Sequence, residues 1–389
     1  MEAIKPLTVA PRRSRLTDRL GLPYMDRVML GASIGLIGFS VFTLASATRE
    51  DVPGQPLYFA GRQGLYAVAG IALMVAVCRL DYSRLRDLRV SLYTAMIGSI
   101  VAVLLIGSAV RGSNRWIELP YFRFQPAELA KVLLVIALAA FAYDRARRPW
   151  SPRHTVALLG LGLAPAVLVF LQPDLGTGIV LATATLAVLF VAGVPWQHFA
   201  AIGAVGAVLA AAAFAAGPAV GVNVLQGYQE DRLTAFLHPS DDPSDSSYQV
   251  NQAVIAVGSG EKSGRGDEAT QSGLLFLPER HTDFVFAVIG ERYGFLGAAS
   301  VIALYALLLW RGMRVLMLSR SFYGTLIAAG IIAILGFQIV VNVGMNLGLM
   351  PVTGIPLPLM SYGGSSVLGT FLALGLLQSI YVQGRLNDA

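Results

Sequence analysis

The sequence predicts an all-α, polytopic integral membrane protein with about ten transmembrane helices and one long extracytoplasmic loop. Of its 389 residues, 55% are hydrophobic and only 13% are charged, and the mean hydropathy is +0.64. Soluble domains carry roughly 25% charged residues, so this composition excludes a soluble enzyme with one membrane anchor. The apolar runs are continuous and do not alternate with polar residues, which excludes an outer-membrane β-barrel.

Ten apolar segments are each long enough to cross a bilayer, which takes roughly 20 residues. They lie at about 27–48, 57–78, 90–110, 127–143, 154–171, 176–194, 197–216, 284–310, 322–349 and 361–382. The apolar run after the polar stretch 1–26 is a full span, so we expect a retained cytoplasmic tail and no cleaved signal. One membrane domain then covers 1–389 and ends in a cytoplasmic tail at 383–389.

Basic residues are concentrated on one side of the predicted spans. The side with both termini has 18 Lys and Arg against 7 Asp and Glu, and the other side has 9 against 14. Because positive loops stay in the cytoplasm, both termini are predicted to be cytoplasmic and the hydrophilic loop 217–283 extracytoplasmic. A loop of this length usually has a function, so we expect the chemistry at the outer face. Its amphipathic stretch SYQVNQAVIAVGSG (247–260) is expected to form a short helix on the membrane surface.

Cysteine and histidine provide no metal or redox signal. Cys78 is the single cysteine, so no internal disulfide or cysteine cluster is possible. The four histidines are scattered without the spacing of zinc ligands.

Ionisable residues within spans are costly and are therefore functional candidates. Glu128 and Lys131 share one helix face at the outer start of the fourth span, where they form either a self-neutralising ion pair or part of a polar cavity for an anionic or sugar ligand. Arg62, near the outer end of the second span, either extends to the lipid headgroups or binds a ligand.

Arginines and aromatic residues are interleaved in the external loop 111–126. Arg115 and Arg123 flank Trp116, Tyr121 and Phe122, which is also the composition of an interfacial aromatic belt. In the functional alternative, Arg62, Arg115 and Arg123 bind a diphosphate, because guanidinium groups bind phosphate oxygens bidentately.

Two further acidic positions have structural alternatives. Asp174, in the turn LQPDLGTG, either caps the sixth span or contributes to a site. Glu291 and Arg292, about two turns into the eighth span, are expected to form a buried structural pair.

A charged cluster stands where the long loop meets the eighth span: Glu279, Arg280, His281 and Asp283. A carboxylate there is partly desolvated yet open to the outer face, which suits a general base. Asp283 is therefore the candidate base, and the alternative is that it caps the eighth helix.

The segment GIPLPLMSYGGSS (354–366) is predicted to be irregular or re-entrant, because Pro356 and Pro358 prevent a regular helix. Irregular backbone at membrane depth is tolerated only against protein or a wet cavity, so we interpret it as a cavity wall. The alternative is a simple loop before a glycine-rich helix start.

Five segments resemble signature stretches of the SEDS family (shape, elongation, division and sporulation proteins of bacteria). They are RWIELPYFRFQPAELAK (115–131), QPDLGTG (172–178), VGSG (257–260), TQSGLLFLPERHTDFVFAVIGE (270–291) and GLMPVTGIPLPLMSYGGSS (348–366). The order matches from about residue 30 to the end, and the details are more similar to the elongation member than to the division member. The chain departs at Arg292, where the family commonly has a second glutamate.

The resemblance implies a peptidoglycan glycosyltransferase that polymerises lipid II at the outer face. Asp283 matches the essential aspartate of the family. Three basic positions match those associated with the donor diphosphate: Arg62, Arg115 and Arg123. Glu128, Lys131 and Asp174 match residues of the central cavity, and Glu279, Arg280 and Ser361, within the matching motifs, are further substrate-binding candidates. The family also implies a divalent cation (Mg or Mn), a class B penicillin-binding protein with transpeptidase activity and other elongation-complex membrane proteins as partners.

The expected chemistry is an inverting single displacement, which needs one base for the acceptor hydroxyl and positive charge for the departing diphosphate. Three alternatives remain open: a lipid II flippase, the division-type member of the family, and a scaffold without enzymatic activity.

Overall fold

The computed structural model describes residues 24–49, 51–106, 108–110, 113–118, 123–146, 149–220, 245–273, 277 and 279–386, which form mainly helices. The long helices are α1 (Arg27–Ala47), α2 (Tyr58–Cys78), α3 (Arg89–Ile106), α4 (Pro126–Arg145), α5 (Pro152–Phe170), α6 (Leu175–Val191), α7 (Trp196–Val220), α10 (Val285–Leu318), α11 (Phe322–Asn346) and α12 (Gly364–Leu386). The shorter helices α8 (Asp245–Ser259) and α9 (Thr270–Gly273) and two 3-10 turns (Tyr82–Arg86 and Gly266–Glu268) complete the helical elements of these ranges.

Seven of the described helices are long and apolar enough to cross a membrane: α1, α2, α4, α5, α10, α11 and α12. The helices α3 and α6 are shorter and apolar, and α7 has 25 residues. The helix ends follow local sequence signals, such as the Asp26 carboxylate accepting from the amides of Val28 and Met29, and proline in the first turn of α4 and α5. The predicted all-α polytopic class and the ten-helix arrangement are confirmed.

The predicted boundaries agree within about four residues at the ends of the long helices, with one larger difference: α10 continues to Leu318 instead of 310. The third helix ends at Ile106, before a small sheet. The predicted amphipathic stretch forms α8, but its Ala253 and Ala256 are buried, so it packs on the protein. The tail 1–23, the loop residues 221–244, and Tyr121 and Phe122 lie outside the described residues.

The sequence did not predict the three-stranded antiparallel sheet that follows α3. Its strands are β1 (Ser108–Val110), β2 (Ser113–Glu118) and β3 (Arg123–Phe124), in the order β1-β2-β3. Glu118 pairs with Arg123 across β2 and β3, so the sheet brings the aromatic and basic loop back to the start of α4.

Two helices form the centre of the bundle. Of the apolar stretches, 89% of α12 and 78% of α4 are buried inside the protein, against 33% of α2 and 28% of α10. At the opposite end from the sheet, Asp26 before α1 forms a buried ion pair with Arg311 of α10, and the backbone of Asp26 bonds to the Gln378 side chain of α12. The centre therefore lies between α4, α11 and α12.

The segment between α11 and α12 is irregular, as predicted, and is largely buried. Four of its carbonyls accept hydrogen bonds from four different helices. The donors are Ser40 of α1 (to Met360, 2.7 Å), Gln63 of α2 (to Ser361, 3.2 Å), Tyr305 of α10 (to Pro358, 2.6 Å) and Asn342 of α11 (to Ile355, 2.8 Å). These side chains replace the bonds that a helix would form internally, which stabilises buried irregular backbone.

Helix α10 is broken at Gly294, which has φ +63° and ψ −160°. The break separates an outer half, 285–293, from a longer inner half. Glu291 and Arg292 are both buried just before the break, as expected. Each of them also contacts a residue of the long loop. Glu291 accepts the Gln271 amide at 2.7 Å, and Arg292 lies 3.6 Å from the Asp267 carboxylate.

Candidate active site at the sheet end of the bundle

Asp283 lies on a tight turn that leads into α10. The turn is closed by the carbonyl of Glu279, which accepts from the amides of Thr282 (3.0 Å), Asp283 (3.1 Å) and Phe284 (3.3 Å). Glu279 has a positive φ of 53°, and its carboxylate accepts from the Thr282 hydroxyl at 2.9 Å. The Asp283 side chain is half-buried, so the turn presents it at the edge of the protein interior.

Two buried asparagines of α11 hold the backbone of this turn. The side-chain amides of Asn342 and Asn346 each donate to the Asp283 carbonyl at 3.1 Å. The N-cap position of α10 is Phe284, one residue after Asp283, and the Ala287 amide bonds to the Asn346 side chain. The helix start is thus capped by an asparagine from another helix, a partner that no local sequence signal identifies.

The Asp283 turn is also attached to the irregular segment before α12. The Ser361 hydroxyl donates to the Thr282 carbonyl at 2.6 Å and accepts the Leu357 amide at 2.8 Å, and the Tyr362 amide donates to the His281 carbonyl at 2.8 Å. Ser361 is only 1% exposed. The structure therefore places this predicted substrate-binding residue beneath the turn, where its hydroxyl supports the backbone.

Arg62 of α2 lies beside the same turn. Its guanidinium stacks over the Tyr58 ring at 4.6 Å and hydrogen bonds to the Tyr362 hydroxyl. Phe59 packs against both His281 and Tyr362, with ring centroids 4.7 and 5.0 Å apart. The sequence analysis did not single out Tyr362, although it lies within the matching MSYGGSS motif.

Arg280 is buried and forms an ion pair with Asp51 from the connection between α1 and α2. Its side chain is 4% exposed, so this predicted substrate-binding residue joins the turn to the α1–α2 connection. A buried guanidinium is stable only with such a partner. Asp51 was not predicted, because nothing local indicates a partner 229 residues away.

The other two arginines lie on the small sheet and differ in exposure. Arg115 on β2 donates to the carbonyls of Gln172 (3.3 Å) and Pro173, so it attaches the sheet to the turn before α6. Arg123 on β3 is 61% exposed and lies 3.7 Å from Glu118. Of the two, Arg123 presents the more accessible guanidinium.

Asp174 is the N-cap of α6, as the structural alternative predicts. Its carboxylate accepts from the Thr177 amide at 3.1 Å and the Thr177 hydroxyl at 3.0 Å. The Asp174 carboxylate also accepts from the side-chain amide of Gln125 at 3.2 Å. The backbone amide of Gln125 donates to the Ser365 hydroxyl at the start of α12. Asp174 therefore connects α6, α4 and α12.

Glu128 and Lys131 form an ion pair of 2.8 Å, and their side chains are only 3% and 6% exposed. The pair lies against a narrow pocket between α4, α11 and α12, together with Gln338 and Thr370. The structure thus shows the self-neutralising ion pair, and its role in binding a ligand stays a prediction.

The predicted residues fall into connected groups. Asp283, Glu279, Arg280, Ser361 and Arg62 surround one turn, whereas Arg115, Arg123 and Asp174 belong to the sheet and the start of α6. Ser365 joins the two groups, because its hydroxyl bonds to the backbone of both Arg123 and Gln125, four residues after Ser361. The arrangement offers two half-buried carboxylates, those of Glu279 and Asp283, and the guanidinium groups of Arg62 and Arg123 near a common end of the bundle.

Comparison with known proteins finds relatives that match almost the whole chain. The family model FTSW_RODA_SPOVE, described as cell cycle protein, matches residues 26–386. Peptidoglycan glycosyltransferase MrdB of Escherichia coli K12 is 35% identical over 98% of this chain and 99% of its own length. A probable peptidoglycan glycosyltransferase FtsW of Hahella chejuensis is 37% identical over 96% of this chain and 93% of its own. Stage V sporulation protein E of Bacillus subtilis is 33% identical over 94% of this chain and 98% of its own.

Solved structures have the same fold. A chain from a peptidoglycan synthase complex, studied for the coordination of polymerization and crosslinking, has a TM-score of 0.77 and 31% identity, covering 92% of this chain and 98% of that one. The rod shape determining protein RodA of Thermus thermophilus has a TM-score of 0.67 and 30% identity, covering 92% and 96%. The chain therefore belongs to the FTSW_RODA_SPOVE family, the SEDS proteins that its sequence motifs resemble.

Proposed function

We propose that this chain is a peptidoglycan glycosyltransferase that polymerises lipid II during cell elongation, with Asp283 as the general base. The activity is that of the relatives that match almost the whole chain, MrdB and FtsW. The assignment of the base is carried by one observation: Asp283 is half-buried on a turn whose backbone is fixed from α11 and from the irregular segment.

The proposed step is a single displacement. Asp283 removes the proton from the acceptor hydroxyl, and the hydroxyl oxygen attacks the anomeric carbon of the donor sugar. The bond to the diphosphate breaks, and its electron pair stays on the departing diphosphate oxygen. A carboxylate at the edge of the interior suits this role, because partial desolvation makes it more basic than in water.

The departing diphosphate needs positive charge, which the arginines supply in this proposal. Arg62 lies beside the Asp283 turn, and Arg123 is the exposed arginine of the sheet. Arg115 has two of its nitrogens on backbone carbonyls, so its part is to hold the sheet as well as to add charge. Glu128 and Lys131 add an ion pair at a deeper, mainly apolar pocket between α4, α11 and α12.

The family resemblance also implies a divalent cation, for which the described residues provide carboxylates but no full cluster of protein ligands. Within the described ranges, no group of three or more His, Cys, Asp or Glu side chains is placed to hold a metal. Mg²⁺ is often bound by one or two carboxylates together with substrate phosphates. We therefore propose that the cation arrives with the diphosphate, and no step of the reaction is assigned to it.

The chain is a multi-pass membrane protein. We place it in the bacterial cytoplasmic membrane with its sheet end outside, which is supported by the charge difference between the two sides. The proposed partner is a class B penicillin-binding protein. The support is the similarity to a chain of a synthase complex in which polymerization and crosslinking are coordinated.

Purified full-length protein incubated with fluorescent lipid II in liposomes tests the proposal. Glycan polymer is expected. Translocation of lipid II without polymer would favour the flippase instead, and neither product would favour the scaffold. Rescue of a strain depleted of its elongation enzyme, compared with one depleted of its division enzyme, distinguishes the two enzyme subtypes.

A further inference from the structure

The loop that follows α8 is hydrogen-bonded into the break in α10. We call residues 260–265 the loop latch. Three backbone bonds join it to the break: Phe295 amide to Glu261 carbonyl (2.8 Å), Leu296 amide to Lys262 carbonyl (3.2 Å) and Arg265 amide to Glu291 carbonyl (2.8 Å). A broken helix leaves amides after the break and carbonyls before it without helical partners. The loop latch supplies partners for both sides.

Glycine is required at the contact because the two backbones touch. Gly264 (φ +82°) and Gly294 (φ +63°) both have left-handed backbone conformations, which other residues rarely adopt. A Cβ on Gly264 would lie 2.2 Å from the Arg292 carbonyl oxygen, and a Cβ on Gly260 would lie 1.9 Å from the Gly290 carbonyl oxygen. No side chain can move aside there, because the obstructing atoms are backbone.

Side chains on both sides of the loop reinforce the same contact. The Glu291 carboxylate, fully buried, accepts the Gln271 amide at 2.7 Å. The Arg292 guanidinium, 8% exposed, lies 3.6 Å from the exposed Asp267 carboxylate. The outer half of α10 is thus bound to the loop at its last turn, the end farthest from Asp283.

The outer half of α10 is short and is held at both ends. It spans about nine residues, which is roughly 13 Å. At one end Asn342 and Asn346 fix the Asp283 carbonyl, and along its side Ala287 packs in one cluster with Ala253 of α8. Because the break separates this half from the inner half, its orientation depends on these contacts and on the loop latch.

We infer that the loop latch is a positioning element for Asp283, with Gly264 and Gly294 as positioning residues. The contact at the break sets the direction of the outer half of α10, and that half carries the Asp283 turn. The inference rests on the proposed function, because its measured quantity is glycan polymerisation. A misplacement of about 1 Å at a catalytic group typically costs about 100-fold in rate.

The test compares Gly264→Ala with Gly266→Ala in the full-length protein. Both glycines have positive φ (+82° and +57°), but a Cβ on Gly266 meets no atom within 4 Å. The two variants therefore share the conformational strain and differ in the obstruction at the break. We expect Gly264→Ala to lower kcat for lipid II polymerisation by about 10- to 100-fold with little change in KM. Gly266→Ala should stay within a few-fold of the wild type.

Two further measurements separate positioning from loss of fold. Hydrogen exchange should be slow at the Phe295 and Leu296 amides of the wild type, and faster across 285–293 in Gly264→Ala at an unchanged melting temperature of the whole protein. If Gly264→Ala does not insert, Asp267→Asn replaces it, because this exposed change weakens only the contact with Arg292 and should lower kcat in the same direction.

Equal kcat values for the two glycine variants, or rapid exchange at Phe295 and Leu296 in the wild type, would overturn the inference. A KM increase alone would also overturn it, because it indicates a binding role. If the wild type itself makes no polymer, the proposed function fails, and the exchange data still decide whether the latch exists.

Discussion

Asn346 joins the Asp283 turn to the first turn of α10: its side-chain amide donates to the Asp283 carbonyl at 3.1 Å, and its side-chain oxygen accepts the Ala287 amide at 3.0 Å. One buried side chain from α11 therefore fixes both the turn that carries the candidate base and the first turn of the helix behind it. The backbone of Asp283 is thereby fixed from a helix that is distant in the sequence.

Asp283→Asn should abolish polymerisation while leaving the fold intact. Asn keeps the size of the side chain and its capping ability but cannot accept a proton at neutral pH, and losing a general base costs about 10²–10⁴-fold. Lipid II polymerisation by the purified variant measures the loss, and lipid II binding and melting temperature serve as controls. Normal glycan synthesis by this variant would discard the base assignment.

Asn346→Ala should lower both stability and rate. The change removes one of two donors to the Asp283 carbonyl, which keeps its bond from Asn342, and it removes the acceptor for the buried Ala287 amide, which costs about 1–3 kcal/mol. Asn346→Asp keeps an acceptor for the Ala287 amide but buries a carboxylate against the carbonyls of Asp283 and Asn342, so it should be no more stable or active than the Ala variant. Thermal unfolding and kcat in the same preparation check this, and full activity of both variants would contradict it.

Replacing the two arginines of the sheet with lysine should distinguish a role in substrate binding from a role in stabilising the fold. Arg123→Lys keeps the positive charge but loses the bidentate geometry of the guanidinium group. We therefore expect KM to rise roughly tenfold, which corresponds to one charge-assisted hydrogen bond. The melting temperature should not change. Arg115→Lys should also lower the melting temperature, because Arg115 bonds to two carbonyls before α6. Unchanged kinetics for both variants at subsaturating lipid II would favour the aromatic-belt alternative.

Cysteine labelling tests the predicted orientation. In a Cys78→Ser background, a cysteine at the exposed position Glu268 should react with an impermeant thiol reagent in intact spheroplasts. A cysteine at the predicted cytoplasmic position Ser83 should react only after lysis and serves as the control. The reverse pattern would invert the topology.

The features predicted correctly from the sequence depend on local patterns. Apolar runs predicted the helices, and Pro356 and Pro358 predicted the irregular segment. The cap of α6 by Asp174 was one of the two alternatives for that residue. Each of these features depends on residues within a few positions of one another. The position of Asp283 at the start of a helix followed from the junction of a polar loop with an apolar run.

The features that were missed depend on residues distant in sequence. Asp51 and Arg280 are 229 residues apart, and Ser361 contacts Thr282 from 79 residues away. In the sequence Gly264 is an ordinary loop glycine, and only the structure shows that it packs against the break at Gly294. The small sheet was missed because interfacial aromatics and paired strands use the same residue types.

The irregular segment before α12 has a consequence for the assembly of the protein. Its four carbonyls depend on donors from α1, α2, α10 and α11, which all precede it in the chain. The segment therefore cannot become ordered on the nascent chain until those helices have been inserted and have come together. Since Ser361 of this segment supports the Asp283 turn, a partly inserted chain has no competent site. Activity is thereby restricted to protein whose synthesis and membrane insertion are complete.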